Sequence, residues 1–326
     1  MRVFLTLLLL ALIALGGWLA WALWLPITPA GQTFVLLHPG YSTRRIANEL
    51  QSAGVIRSAA AFVLWHRLHH NRSLKAGEYL FEKPASELDV HERLARGDIY
   101  VHTVVIPEGY NMFDIAQAIQ DAGLGSSQEF LTVAMSDSGL IADLAPGAKT
   151  LVGYLFPATY EFTRTESMRD MAAVMVKQFR EVAGEIGLSG DVHNVVTMAS
   201  IIEKETAVPE ERALIASVYD NRLERKIALQ ADPSVIYAEL LQGTYRGALH
   251  HADLRVDSEY NTYRHAGLPP GPIGNPGKTS LEAALHPAET NYYYFVSDGN
   301  GHHRFAQSLE AHNRNVARLR KTLQHR

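Results

Sequence analysis

The sequence predicts an α+β protein carried on an N-terminal transmembrane helix, with a helix-borne glutamate in a mixed α/β C-terminal half. Three observations lead there. Residues 3–24 are an uncharged apolar run, a strand–turn–helix cassette occurs twice in the first half, and the second half consists of amphipathic helices, one long Gly/Pro-rich loop and a closing hairpin. The 326 residues, 47% hydrophobic and 20% charged, suffice for two or three folded units. A net charge of −4 supplies no basic field, which argues against nucleic acid as a partner. The chain has no cysteine, which excludes thiol chemistry, disulfides and cysteine-rich zinc sites while allowing an oxidising compartment.

The apolar run "VFLTLLLLALIALGGWLAWALW" comes first. At about 1.5 Å per residue it crosses a hydrocarbon core of roughly 30 Å. Arg2 and the α-amine precede it, and the next basic residue is Arg44, so the charge asymmetry keeps the N-terminus cytoplasmic and exports the rest. Trp18, Trp21 and Trp24 suit an interfacial aromatic belt. A cleaved signal peptide is the competing reading. Its apolar region is shorter, about 7–15 residues, and "ITPAG" is a poor small-x-small site, so an uncleaved anchor is expected over residues 1–27.

Pro26 to Gly31 reads as a short linker. Then "QTFVLLHPGYSTRRIANELQSAG" gives an apolar strand, a Pro-Gly turn and an amphipathic helix, and "VHTVVIPEGYNMFDIAQAIQDAG" repeats that plan. Gly40-Tyr41 aligns with Gly109-Tyr110, Ile46-Ala47 with Ile115-Ala116, and Leu50 with Ile119. The glycines permit the tight turn, and the apolar positions share one helical face. Two unrelated cassettes are the alternative. Between the copies, "AAAFVLWHRLHH" reads as a helix, "LKAGEYLF" as a strand and "SELDVHERLARG" as a capped helix ending at Gly97. Residues 32–100 are therefore expected to form a first α+β region and 101–165 a second module.

A third region is expected over 166–326. It opens with a helix over 166–186 whose Met168, Met171, Val174, Met175, Phe179 and Val182 have core spacing. Helices over about 192–206 and 209–225 follow, and "ADPSVIYAEL" opens another. The loop "DSEYNTYRHAGLPPGPIGNPGKTS" is long enough to suggest a functional task. The chain closes with a hairpin across Asp298-Gly299-Asn300-Gly301 and a final helix.

"MASIIEKETAVPEERA", residues 198–213, holds the candidate chemistry. Pro209 disfavours a helical Val208 and suits the first turn of the next helix, so the preceding helix must stop near Thr206. At 100° per residue, Glu205 falls between Ile201 and Met198 on the apolar face, while Glu203 lies on the opposite edge, beside Ala199 and Val196. A carboxylate in a last turn, beside isoleucines and at the negative end of the helix dipole, is pushed toward its protonated form. Glu205 is thus the better proton donor. The plainer alternative is a rim residue that reaches water or pairs with Arg212 or Arg222; Glu203 has the same alternative as a surface or supporting residue.

"MASIIEKETAV", "VYDNRL", "LQADPSVIYA", "YNTY", "GLPPGPIGNPG" and "YYYFV", in this order, resemble the endolytic murein transglycosylases of the YceG-like family over most of the exported chain. The resemblance implies an anchored periplasmic enzyme that cleaves nascent peptidoglycan internally, with a LysM-like module, carried by "EGYNMFDIAQAI", before a transglycosylase catalytic domain. It implies Glu205 as the catalytic general acid/base, with Glu203 as fallback. It also implies partnership with glycan strands, with peptidoglycan synthases (penicillin-binding proteins) as candidate partners, and attachment to the inner membrane through residues 3–24. Val152 and Ala158 replace two acids usual in the family, and Glu259 replaces a usual Pro.

Gln230, Tyr260, Asn261 and Tyr263 offer hydrogen bonds and stacking faces suited to a polysaccharide, against ordinary packing as the alternative for the tyrosines. Asp232 is a further substrate-side candidate, although its place before Pro233 also fits a helix N-cap. Asn221 and Arg222 either organise a cleft or form a surface pair. His66, His69 and His70 have helical spacing without a completing carboxylate, and His250-His251 and His302-His303 are adjacent pairs. With no HExxH, G-x-S-x-G or phosphate-loop motif, no metal and no cofactor are expected. Two rival functions remain: a wall-binding scaffold without catalysis, and a muramidase that admits water.

Overall fold

A computed structural model describes residues 1–69 and 72–324. The elements run α1 (Arg2–Trp24), β1 (Thr33–Leu37), α2 (Thr43–Ser52), α3 (Ala59–Leu68), β2 (Gly77–Phe81), α4 (Glu87–Arg96), β3 (His102–Val105), α5 (Met112–Asp121), α6 (Ser127–Ser136), β4 (Thr159–Phe162), α7 (Met168–Glu185), α8 (Val192–Glu205), α9 (Pro209–Glu224), α10 (Asp232–Gln242), α11 (Lys278–Leu285), β5 (Tyr294–Ser297), β6 (His303–Ala306) and α12 (Leu309–Gln324). The fold is mixed α+β, as expected, and its first helix is uncharged from Val3 to Trp24. The chain divides into two compact units, one comprising Met1–Thr103 with Glu161–Ser167, the other Val104–Tyr160 with the chain from Met168 onward. The stretch expected as a separate module over 101–165 is therefore mostly part of the second unit, because α6 packs on α7.

In the first unit β1 and β2 pair antiparallel, with Val35 opposite Tyr79. Period-two alternation turns Val35 and Leu37 inward onto Ile46 and Leu50 of α2, Phe62 of α3, and Val90 and Leu94 of α4. Ser86 and Asp89 cap α4 reciprocally, and Gly97 ends it at φ 79°. The linker expected over 26–31 is more ordered than its composition suggests. Ile27 exchanges backbone hydrogen bonds with Ala85, at 2.9 and 3.0 Å. The repeat is longer than two strand–turn–helix cassettes: both copies run strand–helix–helix–strand, as β1-α2-α3-β2 and β3-α5-α6-β4.

In the second unit α7 buries Met171, Met175, Phe179 and Val182, so most of the methionine stripe is core, except that Val174 turns outward and Met168 is only half-buried. Helices α8, α9 and α11 pack together and α10 lies against α8. The β5–β6 hairpin turns at 298–302, where Asp298 accepts the backbone N–H of Asn300 at 2.7 Å, and α12 packs on both of its strands.

Candidate active site

The α8–α9 corner is built from local sequence. Thr206 is extended, at φ −143° and ψ 138°, which ends α8 at Glu205; Pro209 then starts α9 from an extended Val208. Thr206 accepts the Val208 N–H at 3.0 Å, closing the corner. Beneath it Val196, Ala199, Ile201 and Ile202 are buried.

Glu205 and Glu203 diverge as their helical positions require. Glu203 Oε1 meets Arg212 at 2.9 Å and its Oε2 accepts the Gly277 N–H at 2.9 Å. Arg212 also lies 3.6 Å from Glu108 and donates to Thr279. Glu203 thus joins α8 to α9 and to the start of α11, with only 6% of its side chain exposed. Glu205 pairs with neither arginine directly. Its Oε1 accepts a hydrogen bond from the Tyr219 hydroxyl at 2.8 Å. One aspect of Glu205 remains solvent-facing, but protein crowds the rest, and this desolvation raises its pKa to about 7. The Tyr219 hydrogen bond and the charge of Arg222 oppose the rise, while the negative charge of Asp232 adds to it.

No local sequence signal marks Tyr219 beyond its place in the "VYDNRL" block, on the buried face of α9. Burial, together with the adjacent Glu205, raises its pKa well above the ordinary phenol value, so it acts as a donor. Arg222, also buried, donates from Nε to the Tyr293 carbonyl at 2.7 Å and from Nη1 to the Leu229 carbonyl at 2.6 Å. Asn221 donates to the Thr290 and Tyr292 carbonyls, both at 2.9 Å. These residues tie α9 to the segments around it; they do not form a surface pair.

The other expected residues separate into two groups. Asp232 is exposed in the first turn of α10, where Ala231 occupies the N-cap and no side chain caps the helix, so the N-cap expectation for Asp232 is corrected. Its Oδ1 instead accepts the Tyr263 hydroxyl at 2.5 Å. Gln230 is exposed and holds a left-handed backbone, φ 53°, with its N–H on the Thr262 carbonyl at 3.1 Å. Tyr260 packs edge-on against Tyr237, ring centroids 5.1 Å apart. Asn261 is wholly buried: its amide donates to the Leu254 and Val256 carbonyls at 3.1 and 2.8 Å, and its carbonyl accepts the Tyr263 N–H at 3.0 Å. It shapes the loop that carries the tyrosines and presents no free edge, which corrects its expected place among substrate contacts. Thr262, unmarked in the sequence, joins that loop to α10 through the Ala231 N–H and Ser234 hydroxyl at 2.9 and 2.8 Å.

The Gly/Pro loop seats against this corner. Ile273 donates its N–H to Ser200 on α8 at 3.0 Å. Asn275 accepts the Gly153 and Leu155 N–H groups at 2.8 and 2.9 Å and donates to the Tyr110 carbonyl at 2.8 Å. Gly274 has no room for a side chain, since a Cβ there would lie 2.7 Å from the Gly109 carbonyl oxygen. Val152, in the same clamped segment, is fully buried. His302 and His303 both turn to Glu211, at 3.2 and 2.7 Å. His66 meets His91 at 3.0 Å, and His70 lies outside the described residues. Among the described residues, no group of three or more potential metal ligands converges.

The arrangement can hold a proton near neutral pH on one carboxyl, fix that carboxyl through a phenol donor, and keep it within electrostatic reach of a second, exposed carboxylate. Comparison with known proteins gives concordant matches. The model of the YceG-like family matches residues 35–318. The chain is similar to an endolytic murein transglycosylase of Bacillus subtilis, 36% identical over 84% of this chain and 81% of the relative. It is also similar to one of Streptococcus pneumoniae, 31% identical over 94% of this chain and 63% of that longer relative. A crystal structure of a yceG-like protein from Listeria monocytogenes superposes with a TM-score of 0.56 at 33% identity, covering 87% of this chain and 98% of that one.

Proposed function

The chain belongs to the YceG-like family, and we propose from that membership that it is an endolytic peptidoglycan lytic transglycosylase, cleaving MurNAc–GlcNAc β-1,4 bonds within glycan strands. The observation that carries the mechanism is the carboxyl of Glu205, raised to about 7 in a desolvated corner and aimed by Tyr219. Protonated Glu205 donates to the glycosidic oxygen as the C1–O bond breaks. The resulting carboxylate then takes the proton of the C6 hydroxyl as that oxygen bonds to C1 of the same MurNAc ring. The product is a 1,6-anhydro end. Intramolecular attack has a high effective molarity, so no second carboxylate is needed to activate water.

Asp232 and Tyr263 face this chemistry as a hydrogen-bonded pair. The charge of Asp232 favours the protonated form of Glu205, and Tyr263, Tyr260 and Gln230 supply the wall of the glycan cleft. Glu203, engaged by Arg212 and the Gly277 amide, is the supporting carboxylate. The strand–helix–helix–strand order of the repeats supports a LysM-like, glycan-holding role for 101–165. The length and apolarity of α1 support a single-pass anchor in the inner membrane, with the N-terminus cytoplasmic and the catalytic part periplasmic, near peptidoglycan synthases.

Incubation with uncrosslinked glycan strands, followed by mass spectrometry, tests this reading. Fragments ending in 1,6-anhydro-MurNAc are expected. Fragments heavier by one water would identify a muramidase, and binding without cleavage a scaffold.

A further inference from the structure

We propose that the first unit docks onto the non-cytoplasmic leaflet of the membrane crossed by its own helix, Leu64 and Leu68 entering the lipid while Arg44 and Arg67 hold headgroup phosphates. This inference rests on the transmembrane reading of α1.

The unit has no slack where it meets α1. Ala22 and Leu23 are buried against Ala61 of α3, with Leu19, Trp65 and Leu88 packed around them. Trp24 meets Trp65 edge-on, centroids 6.0 Å apart. Arg57 donates to the carbonyls of Leu25 and Pro26, the latter at 3.0 Å, and lies over the Trp21 ring at 5.3 Å. The first carbonyls beyond the helix are therefore bonded to the folded unit, and the Ile27–Ala85 pairing continues the seam. Helix α3 is thus held against the last turn of α1, at the level where the tryptophans belong to the membrane–water interface.

The face that α3 shows there is apolar. Ala61, Leu64, Trp65 and Leu68 form one stripe at i, i+3, i+4 and i+7. Ala61 and Trp65 are covered by α1, whereas Leu64 and Leu68, 40% and 69% exposed, extend the stripe past it. Leu64 also lines a groove of about 620 Å³ between α2 and α3, along with Arg44, Asn48, Gln51, Ser58 and Arg67. Among the described residues, no carboxylate lines this groove. Two guanidinium groups lining a groove with the neutral hydrogen-bonding side chains of Asn48, Gln51 and Ser58 suit a phosphodiester, and arginine stems lie along apolar surface while their heads reach phosphate. Continuity with α1 selects a bilayer as the occupant, since a protein partner seated on Leu68 would have to share its surface with lipid.

The absence of cysteine makes the test direct. Full-length Leu68→Cys protein carries a single nitroxide label and is reconstituted in phosphatidylethanolamine–phosphatidylglycerol vesicles, with Leu9→Cys as a second labelled position. Electron paramagnetic resonance then compares collisions with oxygen against those with a water-soluble nickel chelate. Oxygen should dominate at both positions. Lipid-like behaviour at position 9 with water-like behaviour at 68 would overturn the docking and leave the anchor standing. Water-like behaviour at position 9 would overturn the anchor reading, and this inference with it. Combining Arg44→Glu and Arg67→Glu should shift the label at 68 toward nickel accessibility; an unchanged ratio would overturn the headgroup contact.

Discussion

Glu205 combines a hydrophobic setting with two charged neighbours of opposite effect, which makes its protonation both measurable and adjustable. Its folded pKa of about 7 lies above the ordinary 4.5, so the native state binds the proton more tightly than the unfolded chain. Stability from this group is therefore fully present below about pH 4.5 and is lost as pH rises toward 7. Glu205→Gln abolishes the ionisation but keeps an oxygen for Tyr219. The variant should be more stable than the parent above neutrality, by up to ~3 kcal/mol, and equal to it in acid, as read by urea denaturation. Activity should show the same ionisation as an alkaline limb. Tyr219→Phe removes a hydrogen bond that lowers the Glu205 pKa and should move that limb to higher pH. Asp232→Asn removes a like charge and should move it to lower pH. Shifts in a common direction would contradict these assignments. The divergence of the two glutamates was legible from 100° steps along one helix. The role of Asn261 was not, because a buried amide that binds loop backbone and an exposed one that binds sugar are the same letter in a polar segment.

At the scale of elements, the α8–α9 break and the α4 cap were readable because Pro209, Ser86 and Gly97 act on their immediate neighbours. The Gly/Pro loop was recognisable only as unusual. Its clamp depends on Asn275 reaching Gly153 and Leu155, 122 and 120 residues away in sequence, and no local pattern encodes that pairing. Asn275→Ala would strand those buried N–H groups and is expected to cost about 3 kcal/mol, lowering the urea midpoint. A loss below about 1 kcal/mol would show that the clamp is dispensable. Val152, next to the clamped Gly153, is fully buried, and an apolar side chain there needs no polar partner.

Across the whole molecule, the apolar N-terminal helix and the mixed α+β class were legible because apolar length and periodicity are properties of the sequence itself. Unit boundaries were less so: residues 104–160 join the second unit through packing that sequence spacing does not report. Composition made 26–31 look like a linker, yet the Ile27–Ala85 pairing is set by a partner far along the chain. Family membership reaches over 35–318 and so includes both repeats as well as the glutamate helix. The measurement that tests the chemistry most directly is mass spectrometry of uncrosslinked glycan strands treated with the parent protein and with Glu205→Gln. The parent should release internal fragments with 1,6-anhydro-MurNAc ends and the variant should release almost none; anhydro product undiminished in the variant would contradict the assignment of Glu205.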